Sequence, residues 1–397
     1  MSFLKREVFL RRHERIREFL EREGQEAYVV LTPDNFFYVT GFFLDVAPWE
    51  RPVAAVIPRK AEPFLVMNEL STHHLQMAKE RNTLAVDDVY IWHEHVSSTI
   101  RGYTKIQWTG LLAQELKRRG IDRGVLACDS SPASLRPLTE YLPKVTFATE
   151  AEFIKEMRMY KSPEELEFFR LGAKLSDYGQ SVFKDLVKPG KLMVDVDYAT
   201  VREMAIKGAE MFPGDRVEVR CSSLSGPASA SPHGTGADCD MRIERGHGIV
   251  NIIIVRYNGY VTENERTYIV GEPSEIQEKA FRAATRATEA AIAQMVAGNM
   301  VSSIDAAAQA EIEKAGLGQY IRHRTGHGLG IAGHEFPEDV AFCHRPLRAG
   351  EVWSAEPGIY IYGVGGFRHD DTVIVGETAP EVVTTWSKKI EDQTIPV

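Results

Sequence analysis

Apolar residues in the first third of the chain follow two periods in turn. Between residues 5 and 23, Val8, Phe9, Ile16, Phe19 and Leu20 recur at helical spacing among Arg and Glu, which predicts an amphipathic helix. Residues 27–31 form an apolar run of strand length, ended by a turn over Thr32, Pro33, Asp34 and Asn35. Residues 53–57 and 63–67 read as two more strands joined by a turn over 58–60. Residues 108–119 read as a helix and 124–128 as another strand. Strand and helix alternate to about residue 150, the pattern of an α/β domain. Residues 150–161 carry charge and Met without a strong period. The boundary between two domains, 1–155 and 156–397, is set there.

The second domain opens with a strong helix start. Ser162 is the N-cap, Pro163 takes the first helical position and Glu165 completes a capping box. This helix is expected to run to about Leu186, before Pro189-Gly190, with another starting near Asp195 or Asp197. From Val217 the pattern is strand-like. Ser274 and Gln277 form a second capping box, opening an Ala-rich helix to about Ala297. A shorter helix covers 303–315, and strands with glycine turns follow to Val375. Helices between two groups of strands make an α+β domain.

The 397 residues suffice for two or three domains with their own cores. An excess of 56 acidic over 47 basic residues argues against non-specific binding to nucleic acid or anionic membranes. Charges begin at Lys5, so no signal-peptide core is seen. The longest apolar run, 249–255, is interrupted by Asn251 and is strand-sized. The four cysteines form no CxxC motif, which points to reduced thiols and a cytoplasmic location. No GxGxxG follows a strand and no GxxxxGK[ST] occurs, so nucleotide cofactors find no support.

Candidate chemistry clusters in the second domain. His233 sits between Pro and Gly in a loop of small residues. Glu263, Glu265 and Arg266 follow an apolar strand and a Gly-Tyr pair. His323, His327 and His334 fall within twelve glycine-rich positions. Glu356 precedes a Pro-Gly turn, and Asp370 and Asp371 lead into a β-branched run. Glycine lets backbone and small ligands approach closely, and buried acids need partners.

Taken together, Pro-His-Gly at 232–234, Gly259-Tyr260 with Arg266-Thr267, the segment 325–330, His334-Glu335, Glu356-Pro357-Gly358 and Gly365–Val373 resemble the creatinase/aminopeptidase P/prolidase family. Asn35, Tyr38, Thr40 and Gly41 match an N-x-x-Y-x-T-G element of its N-terminal domain. The resemblance implies an α/β N-terminal domain followed by an α+β catalytic domain of the pita-bread type. Metallopeptidases of this family hold two ions with two Asp, one His and two Glu. Those positions fall on Ile252, Glu263, His327, Glu356 and Asp370, so one ligand is lost and two are altered. On ligand count, one ion on Glu263, His327, Glu356 and Asp370 stays open.

The triplet Glu265-Arg266-Thr267 is similar to that of creatinase, the branch working without metal. By that resemblance Glu265 and Glu356 hold a guanidinium group and His233 is the catalytic acid and base. Trp49-Glu50-Arg51-Pro52 resembles an element whose Arg reaches a neighbouring subunit's site. His327, His334 and Asp370 are taken as substrate-binding. Asp370 departs from creatinase, which has His there, and residues 335–339 offer no clear second Arg, so the substrate is left open.

The expectation is a homodimeric, metal-independent hydrolase with no cofactor, cleaving a C–N bond of a small guanidino, amidino or related nitrogen compound. The alternative is a Xaa-Pro dipeptidase or aminopeptidase P-like metallopeptidase with an atypical site for one divalent ion, which His334 favours. A binding protein with a decayed site and a lyase on a sulfonium or betaine compound are further readings.

Overall fold

The computed structural model describes residues 3–44, 46–94, 108–233, 238–337 and 340–397. Two compact units divide between Met157 and Arg158. In the first, α1 (Arg6–Glu23) buries Val8, Phe9, Ile16, Phe19 and Leu20 and ends at Gly24, whose φ of 66° suits glycine. The buried strand β1 (Ala27–Val30) follows. The turn expected after it is instead a helix, α2 (Pro33–Thr40). Proline at the first helical position loses nothing by lacking an N–H, so it starts this helix rather than ending the strand. Asn35 Nδ2 donates to Asp129 at 3.0 Å, and the Leu31 and Thr32 amides donate to the same carboxylate.

The unit continues through β2 (Ala54–Pro58), β3 (Phe64–Asn68), α3 (Thr72–Glu80), β4 (Asp88–Trp92), α4 (Trp108–Arg118), β5 (Arg123–Cys128), α5 (Leu138–Tyr141) and β6 (Lys144–Thr149). The sheet order is β4-β3-β2-β1-β5-β6. β2 is antiparallel to both β1 and β3, and the other pairs are parallel. The segment read as lacking a period is the helix α6 (Ala151–Met159).

The second unit opens with α7 (Pro163–Leu186). Its capping box is formed: the Ser162 amide donates to Glu165 Oε2 at 2.8 Å. α8 (Met193–Met211) starts ahead of Asp195. Then come β7 (Val217–Ser225), β8 (Gly248–Tyr257), β9 (Tyr260–Val270), α9 (Glu275–Ala293), α10 (Val301–Lys314), β10 (Val352–Ala355), β11 (Gly358–Ile361), β12 (Gly365–Arg368) and β13 (Asp370–Ile374). The sheet runs β10-β13-β9-β8-β7 with antiparallel neighbours, and β11 and β12 form a separate hairpin. An α/β unit thus precedes an α+β unit. Among the described residues, no helix is long and apolar enough to cross a membrane.

Every residue of β9 is buried. Side chains alternate along a strand, so its two faces meet different neighbours. α7 covers the face of Thr262 and Asn264. Gly172 of α7 lies so close that a Cβ there would come within 2.7 Å of Thr262 Oγ1. Asn264 donates to Ser176 Oγ and Asp177 Oδ1 of the same helix. Glu263 and Glu265 project from the other face.

Candidate active site

Strand register gathers the first acids. Glu265 on β9 lies opposite Asp370 on β13, and on its other side opposite Ile252 on β8. Glu356 directly follows β10, which pairs with β13. The carboxylates of Glu265, Glu356 and Asp370 have ligand oxygens within 4.8 Å of one another. The Ala355 amide donates to Asp370 Oδ1 at 3.1 Å. Asp370 Oδ2 is buried and has no hydrogen-bond partner among the described residues.

The histidine loop is tied to this cluster through its backbone. Asp305 of α10 accepts from the Thr325 amide and hydroxyl, both at 2.8 Å. The Thr325 carbonyl accepts from the Glu356 amide at 2.6 Å, and the His327 carbonyl from the Ser354 amide at 2.9 Å. Gly326 permits this approach, since a Cβ would meet the Ser354 carbonyl at 2.1 Å. His327 Nε2 thereby lies 3.3 Å from Glu356 Oε1 and 3.5 Å from Glu263 Oε2. His334 stacks on His327 with ring centroids 3.8 Å apart.

Burial and charge set the protonation states. Burial alone would lower the His327 pKa. The bond to Glu356 and the charge of Glu263 outweigh it and raise it to about 9. Burial likewise works against ionised Glu356, but His327 and Arg368 hold it at about 2. Burial lifts Glu263 to about 8, and lifts Glu265 to about 7 against the pull of Arg368. Asp370 is pushed well up by burial and by Glu265, Glu356 and Glu263. Burial and the neighbouring His327 and Arg324 lower His334 to about 4, which keeps it neutral.

Glu265 was expected to hold a substrate guanidinium, but it already holds one. Arg368 donates to both its oxygens: Nη2 to Oε1 at 3.0 Å and Nε to Oε2. Arg368 is itself braced by the Tyr360 hydroxyl and the Pro232 carbonyl, both at 3.0 Å. Tyr360 in turn meets His323 Nε2 at 2.7 Å. His233 follows Pro232 and is exposed. Trp49 and Arg51 belong to the first unit. Trp49 is 85% exposed, and Arg51 pairs with Glu50 at 2.6 Å and Glu94 at 3.0 Å. The sequence reading assigned no role to Arg368, Tyr360, Asp305 or Ser354.

The second unit matches the model of metallopeptidase family M24 over residues 167–377, and residues 12–160 match the creatinase/prolidase N-terminal domain. The chain belongs to metallopeptidase family M24. It is similar to a putative dipeptidase of Bacillus subtilis, with 28% identity covering 96% of this chain and 99% of that protein. A Xaa-Pro dipeptidase of Lactobacillus helveticus is 26% identical over 95% of this chain and 98% of its own. Among solved structures, dipeptidase PepE of Mycobacterium ulcerans superposes with a TM-score of 0.81 and 27% identity, each chain being covered in full. The architecture is the pita-bread fold of the prolidases.

These findings overturn two expectations. The metal-independent amidinohydrolase gives way to a metallopeptidase family whose relatives carry dipeptidase names. The physical reason lies at Glu265, whose oxygens face the chain's own Arg368 rather than open space for a substrate guanidinium. The expectation of no cofactor falls with it. The carboxylates and the unpartnered Asp370 Oδ2 are hard oxygen donors gathered in a buried space, and they suit a divalent cation.

Proposed function

We propose that this chain is a metal-dependent hydrolase of the Xaa-Pro dipeptidase type, cleaving a peptide C–N bond in small peptides. The observation that carries the reading is the trio of Glu265, Glu356 and Asp370, the first and last buried and Glu356 partly so, with one carboxylate oxygen of Asp370 left unpartnered. Similarity to dipeptidases along nearly the whole chain supports the substrate class. Glu265, Glu356 and Asp370 are the residues that would hold a divalent ion. When bound, such an ion acidifies a water and polarises a carbonyl.

The remaining roles follow from position. Protonated His327 fixes Glu356 and offsets its charge. Neutral His334, stacked on it, has a ring N–H to donate to a substrate carbonyl or carboxylate. Exposed His233, next to the Pro232 carbonyl that anchors Arg368, gives a proton to the departing nitrogen. Over the cycle one water is consumed: its hydroxyl ends on the carbonyl carbon as the C–N bond breaks, and its proton replaces the one that His233 has given to the departing nitrogen. The chain works as a cytoplasmic homodimer in this reading. Its four unbridged cysteines support the compartment, and the exposure of Trp49 beside Arg51 supports a second copy there.

The test is a substrate panel of Met-Pro, Leu-Pro, Met-Ala and creatine, run with added Mn²⁺ or Co²⁺ and again after chelation. Hydrolysis of the Xaa-Pro peptides, lost on chelation and restored by the ion, is the expected result. Creatine turnover indifferent to chelator, with the dipeptides untouched, would overturn the reading.

A further inference from the structure

We infer that the site holds a single divalent cation, and that Glu265 supplies a ligand which strand β8 cannot. The inference rests on the metal-dependent reading above and specifies its ion count and donor set.

Cross-strand register carries the argument. Moving from β13 through β9 to β8, the directly opposed residues are Asp370, Glu265 and Ile252, and the pair next along is Glu263 and Ile254. At both positions β8 therefore presents hydrocarbon and contributes no ligand to a cation. On the β13 side the donors converge. Oxygens of Glu265, Glu356 and Asp370 fall within 4.8 Å of one another. A cation at about 2.0–2.6 Å from each oxygen spans that separation.

Asp370 is the independent observation. It is fully buried; Oδ1 accepts from the Ala355 amide, while Oδ2 has no hydrogen-bond partner among the described residues. A buried carboxylate oxygen left unpaired is costly unless a cation or donor completes it.

Charge fixes the number of ions. Fully ionised, as they would be around a cation, Glu263, Glu265, Glu356 and Asp370 carry four negative charges, and the ion pairs of the first three bring in two cationic groups, Arg368 and His327. Two negative charges are left over, the complement of one divalent ion. A second would leave two positive charges uncompensated in a buried space, which is unfavourable by the same reasoning. Arg368 donates to both oxygens of Glu265 and so fixes its orientation, as outer partners commonly do for metal ligands, and each oxygen keeps a further lone pair for a cation. Glu263 pairs with His327 and serves as a charge partner rather than a member of the trio.

The experiment titrates metal-free protein with Mn²⁺ and counts ions per chain by native mass spectrometry and calorimetry. Electron paramagnetic resonance of the Mn²⁺ form follows. One ion per chain is expected, with the uncoupled six-line signal of an isolated Mn²⁺. Glu265→Thr, with its fold checked by circular dichroism, is expected to bind Mn²⁺ at least about 10–100-fold more weakly. Two ions per chain with a spin-coupled signal would overturn the inference and leave the metal-dependent reading intact. So would unchanged affinity in folded Glu265→Thr. Absence of any bound ion would overturn both. Should the variant fail to fold, the ion count and signal of the unaltered protein decide.

Discussion

Asp370 and Asp371 are neighbours on β13, equally buried, and their surroundings differ completely. Asp371 points to the face where Arg266 donates to it at 2.7 Å, Thr384 Oγ1 at 2.9 Å, and Lys388 through its ammonium. Burial would raise its pKa, but Arg266 and Lys388 hold it down at about 2. Asp370 points to the opposite face, toward Glu265 and Glu356, and the same burial pushes its pKa well up. One carboxylate is completed by the protein and serves the fold. The other is left incomplete, as the proposed cation site requires. Burial of an acid is thus not informative by itself; whether its counter-charge comes from the chain separates structure from function.

The largest effect is expected on the completed side. Asp371→Asn leaves Arg266 buried against a neutral partner, and breaking a buried pair in this way costs about 3–5 kcal/mol. Chemical denaturation of the metal-free protein measures it. Asp370→Asn should cost less than about 1 kcal/mol in the same experiment, because burial already favours the neutral acid there and an amide keeps its shape and its bond from the Ala355 amide, while ion binding is lost. Equal destabilisation by the two would erase the distinction.

Next comes His233→Ala. Loss of a positioned acid typically lowers turnover by about 10²–10⁴-fold, with little change in unfolding midpoint, since the side chain is exposed. Steady-state kinetics on a Xaa-Pro peptide gives the answer. Retention of more than roughly half the activity would transfer the role to His334.

The two faces should also respond oppositely to pH in the metal-free protein. Asp371 titrates at about 2 when folded, below its unfolded value, so its contribution is present above about pH 4 and is lost as pH falls toward 2. Glu263 is raised from 4.5 to about 8, so the folded state is favoured below 4.5 and loses stability as pH rises toward 8. Denaturant midpoints across pH 3–9 should peak in the weakly acidic range, and bound metal should flatten the alkaline side. A metal-free protein whose stability rises steadily from pH 5 to 8 would contradict this. The smallest effect is at a helix end: Ser162→Ala removes the α7 cap and should cost about 1 kcal/mol.

Much of this was legible in the sequence because the signals were local. The Ser162 and Ser274 boxes read as helix starts and are helix starts; Gln277 Oε1 accepts from the Ser274 amide at 2.9 Å. The motif set named the family. Pro33 misled because proline both ends strands and begins helices, and only the following residues decide which. α6 was missed because nine residues are too few to establish a period. The functional reading failed for a different reason. The resemblance of Glu265-Arg266-Thr267 to the creatinase triplet implied an acid free to grip a substrate guanidinium, but the guanidinium that it meets belongs to Arg368, 103 residues away. Neither that pairing nor the isolation of Asp370 Oδ2 exists until β9 and β13 are side by side.

Thermal unfolding of the metal-free protein with increasing Mn²⁺, alongside Asp370→Asn, tests most directly whether the acidic face is built for a cation. A ligand that binds only the folded state adds about 2.7 kcal/mol at a hundredfold excess over its Kd. The unaltered protein should therefore show a Tm that climbs with Mn²⁺ while Asp370→Asn stays flat. A Tm indifferent to Mn²⁺ in the unaltered protein, or an equal rise in both, would contradict the account.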